Sequence, residues 1–202
     1  MPRKPRPLDR DEGVMRDANL IIIASEDRYA VKQYFSRFKT RRVQIRVLPT
    51  DDCRSAPQHV IERLNQFVKE HVTEVGDTFW LCIDSDRWPP ESLSKIIGEC
   101  FSKSYQVAMS NPCFELWILL HFESVPNELA SCDQVCEVLR GLFNGYSKKC
   151  CRTIGITGEM VRSAMGRARS MDKSTSPSVP STTTHVYKIL DVMIQKEAIE
   201  LV

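Results

Sequence analysis

The chain has 202 residues, 42% hydrophobic and 27% charged, with a formal net charge of +2. That composition describes one ordinary globular unit able to bury a sizeable core. No apolar run approaches the roughly 20 residues that span a bilayer and no signal-peptide pattern opens the chain, so it reads as cytoplasmic, with no membrane partner.

The opening places Arg3, Lys4, Arg6 and Arg10 among three prolines, which predicts a flexible basic arm over 1–17. The run 19–25 (NLIIIAS) is continuously apolar and β-branched at its centre, as expected of a strand covered on both faces. A helix over 29–38 follows, then the alternating VQIRVL of 43–48, a strand nearer a sheet edge. Apolar residues at 60, 61, 64, 67, 68 and 72 predict a helix over 57–72. A third strand over 78–83, a helix over 90–101 with Pro90 in its first turn, and a short strand over 105–109 continue the alternation. Ser110, Asn111 and Pro112 read as the cap and first position of a helix, CFELWILLHF. Beyond 126 the pattern predicts helices over 131–143, 157–169 and 185–201, with a Ser/Thr/Pro-rich loop over 173–184 and no convincing strand. The expected fold is α/β: a parallel sheet of about four strands with flanking helices over 18–125, plus a helical C-terminal lobe over 126–202.

Eight cysteines fall partly inside apolar runs, notably Cys82 and Cys113, which suits buried thiols in a reducing compartment. The clusters Cys132/Cys136 and Cys150/Cys151 lack the second spaced pair of a structural zinc site. Two further basic clusters, Arg37 to Arg46 and Lys148 to Lys173, on a nearly neutral chain suggest a polyanion partner.

The chemistry concentrates in FWLCIDSDRW, 79–88, an apolar run ending in Asp84 and Asp86. Residues two apart on a strand share a face, so these carboxylates point the same way and repel unless a cation lies between them. A hard divalent ion such as Mg²⁺ prefers such oxygen donors; the plainer alternative is a solvated Asp-Ser-Asp turn before the next helix. Glu26 closes the first strand, and Glu115 lies in the first turn of the helix after the fourth. Parallel strands end along one edge, so all four acids are drawn together there. Separate local duties are the competing account: Glu115 at a helix N-terminus, Asp86 as a cap, Glu26 paired with Arg28 or Lys32.

These residues resemble a known family. A Glu closing the first strand plus Asp-x-Asp closing a later one is similar to the pattern of Toprim domains, and the match to the RloB-like branch is closer. The segment SNPCFELWILLHF at 110–122 resembles that family's most distinctive stretch; IASED with QYF at 33–35, CIDSD at 82–86 and PSTTTHVYKIL at 180–190 add to it. The resemblance covers about residues 19 to 195. It implies a Toprim fold and cleavage of nucleic acid, RNA such as tRNA or DNA, dependent on Mg²⁺ (or Mn²⁺). It further implies a bacterial antiphage or abortive-infection effector, with an ATPase partner from a neighbouring gene and a possible homodimer. By the same resemblance Glu26 would be a general base/acid or metal ligand, Asp84 and Asp86 metal ligands, and Glu115 the residue that completes the site. One departure is the loop after Glu26: the family has Gly and then a Thr-Glu-containing stretch, where this chain reads Asp27-Arg28-Tyr29-Ala30-Val31. That leaves open a catalytically degenerate nucleic-acid-binding or regulatory subunit, in which Asp27 does not replace the missing carboxylate.

Nucleic-acid contacts are expected from Arg87 beside the acids, from Arg162 and Arg169 seven apart on one helix face, and from His185. Trp88 could stack on a base or close the core. His121, six residues beyond Glu115 and hence about 240° around the helix, reads as a core or surface histidine rather than a catalyst. Gly-Ile-Thr-Gly at 155–158 lacks the lysine of a phosphate-binding loop. Nothing suggests topoisomerase- or primase-like chemistry, for want of a separate tyrosine-bearing or polymerising domain.

Overall fold

The computed structural model describes residues 18–38, 40, 42–50, 54–125, 129, 131–173 and 182–196. The expected basic arm, Lys39 and Arg41 of the second basic cluster and most of the Ser/Thr/Pro-rich loop lie outside the described residues. The elements run β1 (Asn19–Ser25), α1 (Ala30–Phe35), β2 (Val43–Leu48), α2 (Pro57–Glu70), β3 (Thr78–Asp84), α3 (Pro90–Ser102), β4 (Gln106–Asn111) and α4 (Glu115–Leu119). There follow α5 (Cys132–Phe143), a 3₁₀ helix (Lys148–Thr153), α6 (Gly158–Lys173), β5 (Thr183–Thr184) and α7 (Val186–Gln195).

The sheet order is β2-β1-β3-β4-β5, with the first four strands parallel. β2 is the edge strand its alternation predicted. β1 alternates between two buried layers. Ile21 and Ile23 join α1 and the C-terminal helices, while Leu20, Ile22 and Ala24 face α2 and α3. A strand buried on both sides is why NLIIIAS is apolar throughout. Helix α1 carries the chain leftward from β1 to β2, and α2 carries it back across β1 to β3 on the other face. Right-handed crossovers that change direction require opposite faces. The reversal leaves a crevice between the carboxyl ends of β1 and β3, where sheets of this order bind ligands.

Two expectations are corrected. The C-terminal region does contain a strand: β5 pairs antiparallel with the end of β4, Ser110 opposite Thr184. The buried hydroxyls of Ser110 and Thr184 lie 2.8 Å apart, and the His185 N–H donates to the Met109 carbonyl at 2.9 Å. Two residues have no sequence periodicity; pairing alone makes them a strand. Second, Ser110-Asn111-Pro112 is not a helix cap. Ser110 and Asn111 end β4, the Asn111–Pro112 peptide is cis, and α4 begins three residues later at Glu115. No helix among the described residues is long and apolar enough to cross a membrane.

Candidate functional site

Backbone register brings the acids together. The Glu26 N–H donates to the Cys82 carbonyl at 3.2 Å, so the residue stays stitched to β3 one step past the end of β1. β3 ends at Asp84, opposite Ser110, and the Ser85 N–H continues the ladder to the Ser110 carbonyl at 2.9 Å. Asp84, buried, accepts the Phe114 N–H at 2.9 Å just before α4. Asp86 stands exposed on the following turn. The Trp88 indole N–H donates to Glu26 Oε2 at 3.2 Å, fixing that carboxylate from the β3 side. Glu26, Asp84 and Asp86 line one cleft of about 360 Å³, together with Arg87, Thr50, Cys132 and Lys148.

Glu115 is fully buried and is not among the residues lining the cleft. Its Oε1 lies 3.1 Å from the Lys148 ammonium, and its Oε2 accepts the Cys132 thiol at 3.7 Å. Lys148 also stands 3.6 Å from Asp27 Oδ2. The sequence does not single it out: it is one lysine in a basic cluster, delivered to the acids by the 3₁₀ helix. The left-handed Asn144 that ends α5, followed by Gly145 in the same positive-φ region, turns the chain toward that helix.

The loop departure resolves locally. Asp27 takes no positive φ, so the glycine of the family pattern is not required there. Its Oδ1 accepts the N–H of Tyr29 at 2.7 Å and that of Ala30, anchoring the first turn of α1. Arg63 from α2 donates to the Ser25 carbonyl at 2.7 Å and holds the strand end from the opposite layer.

Burial pushes the Glu26 carboxyl up to about 7, with the Asp86 charge adding to it, against the Asp84 backbone and the Trp88 indole, which favour the anion. Asp84 is raised well above the usual carboxylate range, by burial and then by the charges of Glu26 and Glu115. Glu115 is raised by burial against the pull of Lys148. Burial works against the Lys148 ammonium, yet Glu115, Asp27 and Asp84 together push its pKa up. The cleft gathers carboxylates beside Lys148 and Arg87, and burial raises the pKa of Glu26, Asp84 and Asp86 there.

The donors fit a divalent ion in chemistry more than in spacing. Glu26, Asp84 and Asp86 supply oxygen ligands, as Mg²⁺ requires. Among the described residues the three donors that all lie within 4.8 Å of one another are instead Cys113, Glu115 and Cys132. Two thiols and a carboxylate suit a softer ion. Cys132 and Cys136 sit 3.9 Å apart on successive turns of α5.

The remaining candidates are placed elsewhere. Arg169 is ion-paired with Asp191 and lies 5.4 Å from the Tyr187 ring centroid; Arg162 is exposed; His185 bonds Asp172 at 3.2 Å. None of the three lines the acid cleft. Arg87 does. His121, read from its helix position as a core or surface histidine, is a core residue. Its Nδ1–H donates to the Trp117 carbonyl at 2.8 Å, which leaves Nε2 to accept the Tyr34 hydroxyl at 3.2 Å. Burial holds its pKa down at about 4.

A protein-family model described as RloB-like protein matches residues 21–193. No curated protein and no solved structure matches the chain.

Proposed function

The chain belongs to the RloB-like protein family, and from that premise we propose that it is a metal-dependent Toprim nuclease hydrolysing phosphodiester bonds of nucleic acid. One observation carries the reading: Glu26, Asp84 and Asp86 meet in a cleft at the β1/β3 reversal, with Arg87 and Lys148 on its walls. Asp84 and Asp86 would hold Mg²⁺ or Mn²⁺, with Glu26 as a further oxygen donor or as the group that handles the proton. Bound there, such an ion would polarise a phosphoryl oxygen and lower the pKa of water. Glu26, with a pKa near 7 and an orientation fixed by Trp88, is suited to take up or give back a proton at neutral pH. Arg87 and Lys148 supply positive charge where a cleaved phosphodiester gains negative charge. Glu115 acts from behind, by positioning Lys148.

A role in bacterial antiphage or abortive-infection defence, with an ATPase partner, rests on family resemblance alone. The competing reading, a non-catalytic binding subunit, is favoured by one feature: Lys148 already partly neutralises the acids. Incubation with purified tRNA and with plasmid DNA, in Mg²⁺ and in EDTA, separates the two. Cleavage that needs Mg²⁺ and vanishes in Asp84→Asn and Glu26→Gln supports the nuclease. Retained activity in both variants would refute it. Asparagine preserves the acceptor for the Phe114 amide, so the first variant tests charge rather than folding.

A further inference from the structure

Beside the acid cleft lies a second groove, of about 420 Å³, lined by Arg28, Tyr29, Lys32, Gln33, Ser36, Pro49 and Arg152. Arg28 and Tyr29 line both depressions, so groove and cleft are continuous across the loop that leaves β1. The two differ in sign. The cleft holds carboxylates; the groove contributes three exposed cations, Arg28, Lys32 and Arg152, and no acid. None of the three has an acidic partner among the described residues. At the junction the Arg28 guanidinium and the Lys149 ammonium each lie 5.5 Å from the centroid of the half-buried Tyr29 ring. The walls are fixed rather than incidental. Gln33 of α1 donates to the Lys149 carbonyl at 2.8 Å and accepts the Arg152 N–H at 2.9 Å, and Arg37 donates to the Cys151 carbonyl at 3.0 Å. These bonds clamp the 3₁₀ helix to α1 and hold Arg152 along one side of the groove.

We propose that this groove binds a single-stranded polynucleotide and leads it into the acid cleft. Arg28, Lys32 and Arg152 would pair with successive phosphates, and Tyr29 would stack on a base where the strand enters. The proposal rests on the nuclease reading for its direction, since the strand must end at the acids. Three features select this ligand. Unpaired cations spaced along a groove are the electrostatic footprint of a phosphate backbone. An aromatic ring set among cations is the usual stacking platform for an unpaired base. Each depression has the volume of a site for one small-molecule-sized group, on the order of one nucleotide, and a duplex would not enter it. The groove takes the place of the C-terminal arginine face as the phosphate-binding surface, because Arg169 there is already occupied by Asp191.

The test is fluorescence anisotropy in EDTA with labelled U12 RNA, T12 DNA and a blunt duplex, over a range of salt. Wild type is expected to bind single strands more tightly than the duplex, the two 12-mers separating an RNA preference from a DNA one. R28A/K32A/R152A should lower the slope of log affinity against log salt by about 2, three contacts at roughly 0.7 each. Arg28→Lys with Arg152→Lys should restore most of it, and matching melting curves would show that the variants fold. Tyr29→Leu should weaken binding at least roughly fivefold with little change of slope. An unchanged slope in the triple variant, or a duplex bound as tightly as the single strands, overturns the proposal. Groove-dependent binding without Mg²⁺-dependent cleavage would leave the groove standing and bring down the nuclease reading. Cleavage with an unaltered salt slope would do the reverse.

Discussion

Glu115 opens α4 and His121 lies two residues beyond its last turn, both almost wholly out of solvent. At the His121 end both ring nitrogens have neutral partners. The imidazole is held between a carbonyl and a hydroxyl, Tyr34 packs edge-on against Trp117 and Phe114, and Trp117 edge-on against the imidazole. At the Glu115 end three buried or half-buried acids face one lysine. The first arrangement is what packing alone selects, since buried polar groups are cheapest when neutral and hydrogen-bonded. The second carries a standing electrostatic penalty that a fold optimised for stability would remove. Titratable groups held far from their ordinary pKa in a cleft are a mark of function. On the proposed function, the same helix separates a structural end from a working end.

The comparison breaks first at Lys148. Lys148→Met leaves Glu115 buried without its counter-ion, and stability should fall by about 3 kcal/mol, the lower end for an orphaned buried charge because Glu115 can protonate. Adding Glu115→Gln should recover most of that loss. Chemical denaturation of the single and double variants measures both. If the two losses simply add, the pair is not coupled and Glu115 is neutral in the fold.

Acidity sharpens the contrast, because the two ends have opposite pH slopes. His121 has a folded pKa of about 4 against an ordinary 6.5, so it takes up a proton more readily when unfolded. Its stabilising contribution is complete above pH 6.5 and is lost as the pH falls toward 4, up to about 3 kcal/mol in all. Glu26, raised to about 7, binds its proton more tightly when folded. In the absence of metal its contribution is complete below about pH 4.5 and disappears as the pH rises through 7. Melting curves between pH 4 and 8 should lose most of their acid-side fall in His121→Gln, and their neutral-side fall should shrink in Glu26→Gln, where Asp84 and Glu115 still contribute. A profile that either variant leaves unchanged removes that residue from the account.

A divalent ion should act at one end only. With Mg²⁺ at a hundred times its dissociation constant, the wild type should gain about 2.7 kcal/mol of stability, and Asp84→Asn should gain far less. His121→Gln should gain as much as wild type. Equal gains in wild type and Asp84→Asn would make the carboxylates structural.

Much of this was legible in the sequence, for different reasons at the two ends. Doubly covered β1 and β3 announce themselves as apolar runs, and acids at their carboxyl ends follow from parallel topology. His121 could be set apart from the acids by its angle to Glu115, although the angle left core and surface open. Lys148 could not be found that way. It lies 33 positions after Glu115 in a 3₁₀ helix without periodicity, and only its reach across the fold gives it a role. The arginine face of α6 failed to show its commitments for the same reason: Asp191, which holds Arg169, belongs to another helix. Sequence pattern reports faces and ends of elements, while partners across elements come from packing.

The smallest expected effect asks whether the C-terminal lobe helps to build the acid edge or merely covers it. Thr184 ties β5 to β4 through the Ser110 hydroxyl, one residue pair from Asp84. Thr184→Val keeps the shape, leaves one buried hydroxyl without its partner and should cost about 1–2 kcal/mol. The positions of Glu26 and Asp84 are set by the β1–β3–β4 backbone ladder, which this substitution does not touch. The Mg²⁺-induced stabilisation should therefore be the same as in wild type, on a lower baseline. A smaller metal response in Thr184→Val would mean that the β5 pairing aligns the end of β3, making the lobe part of the site rather than its support.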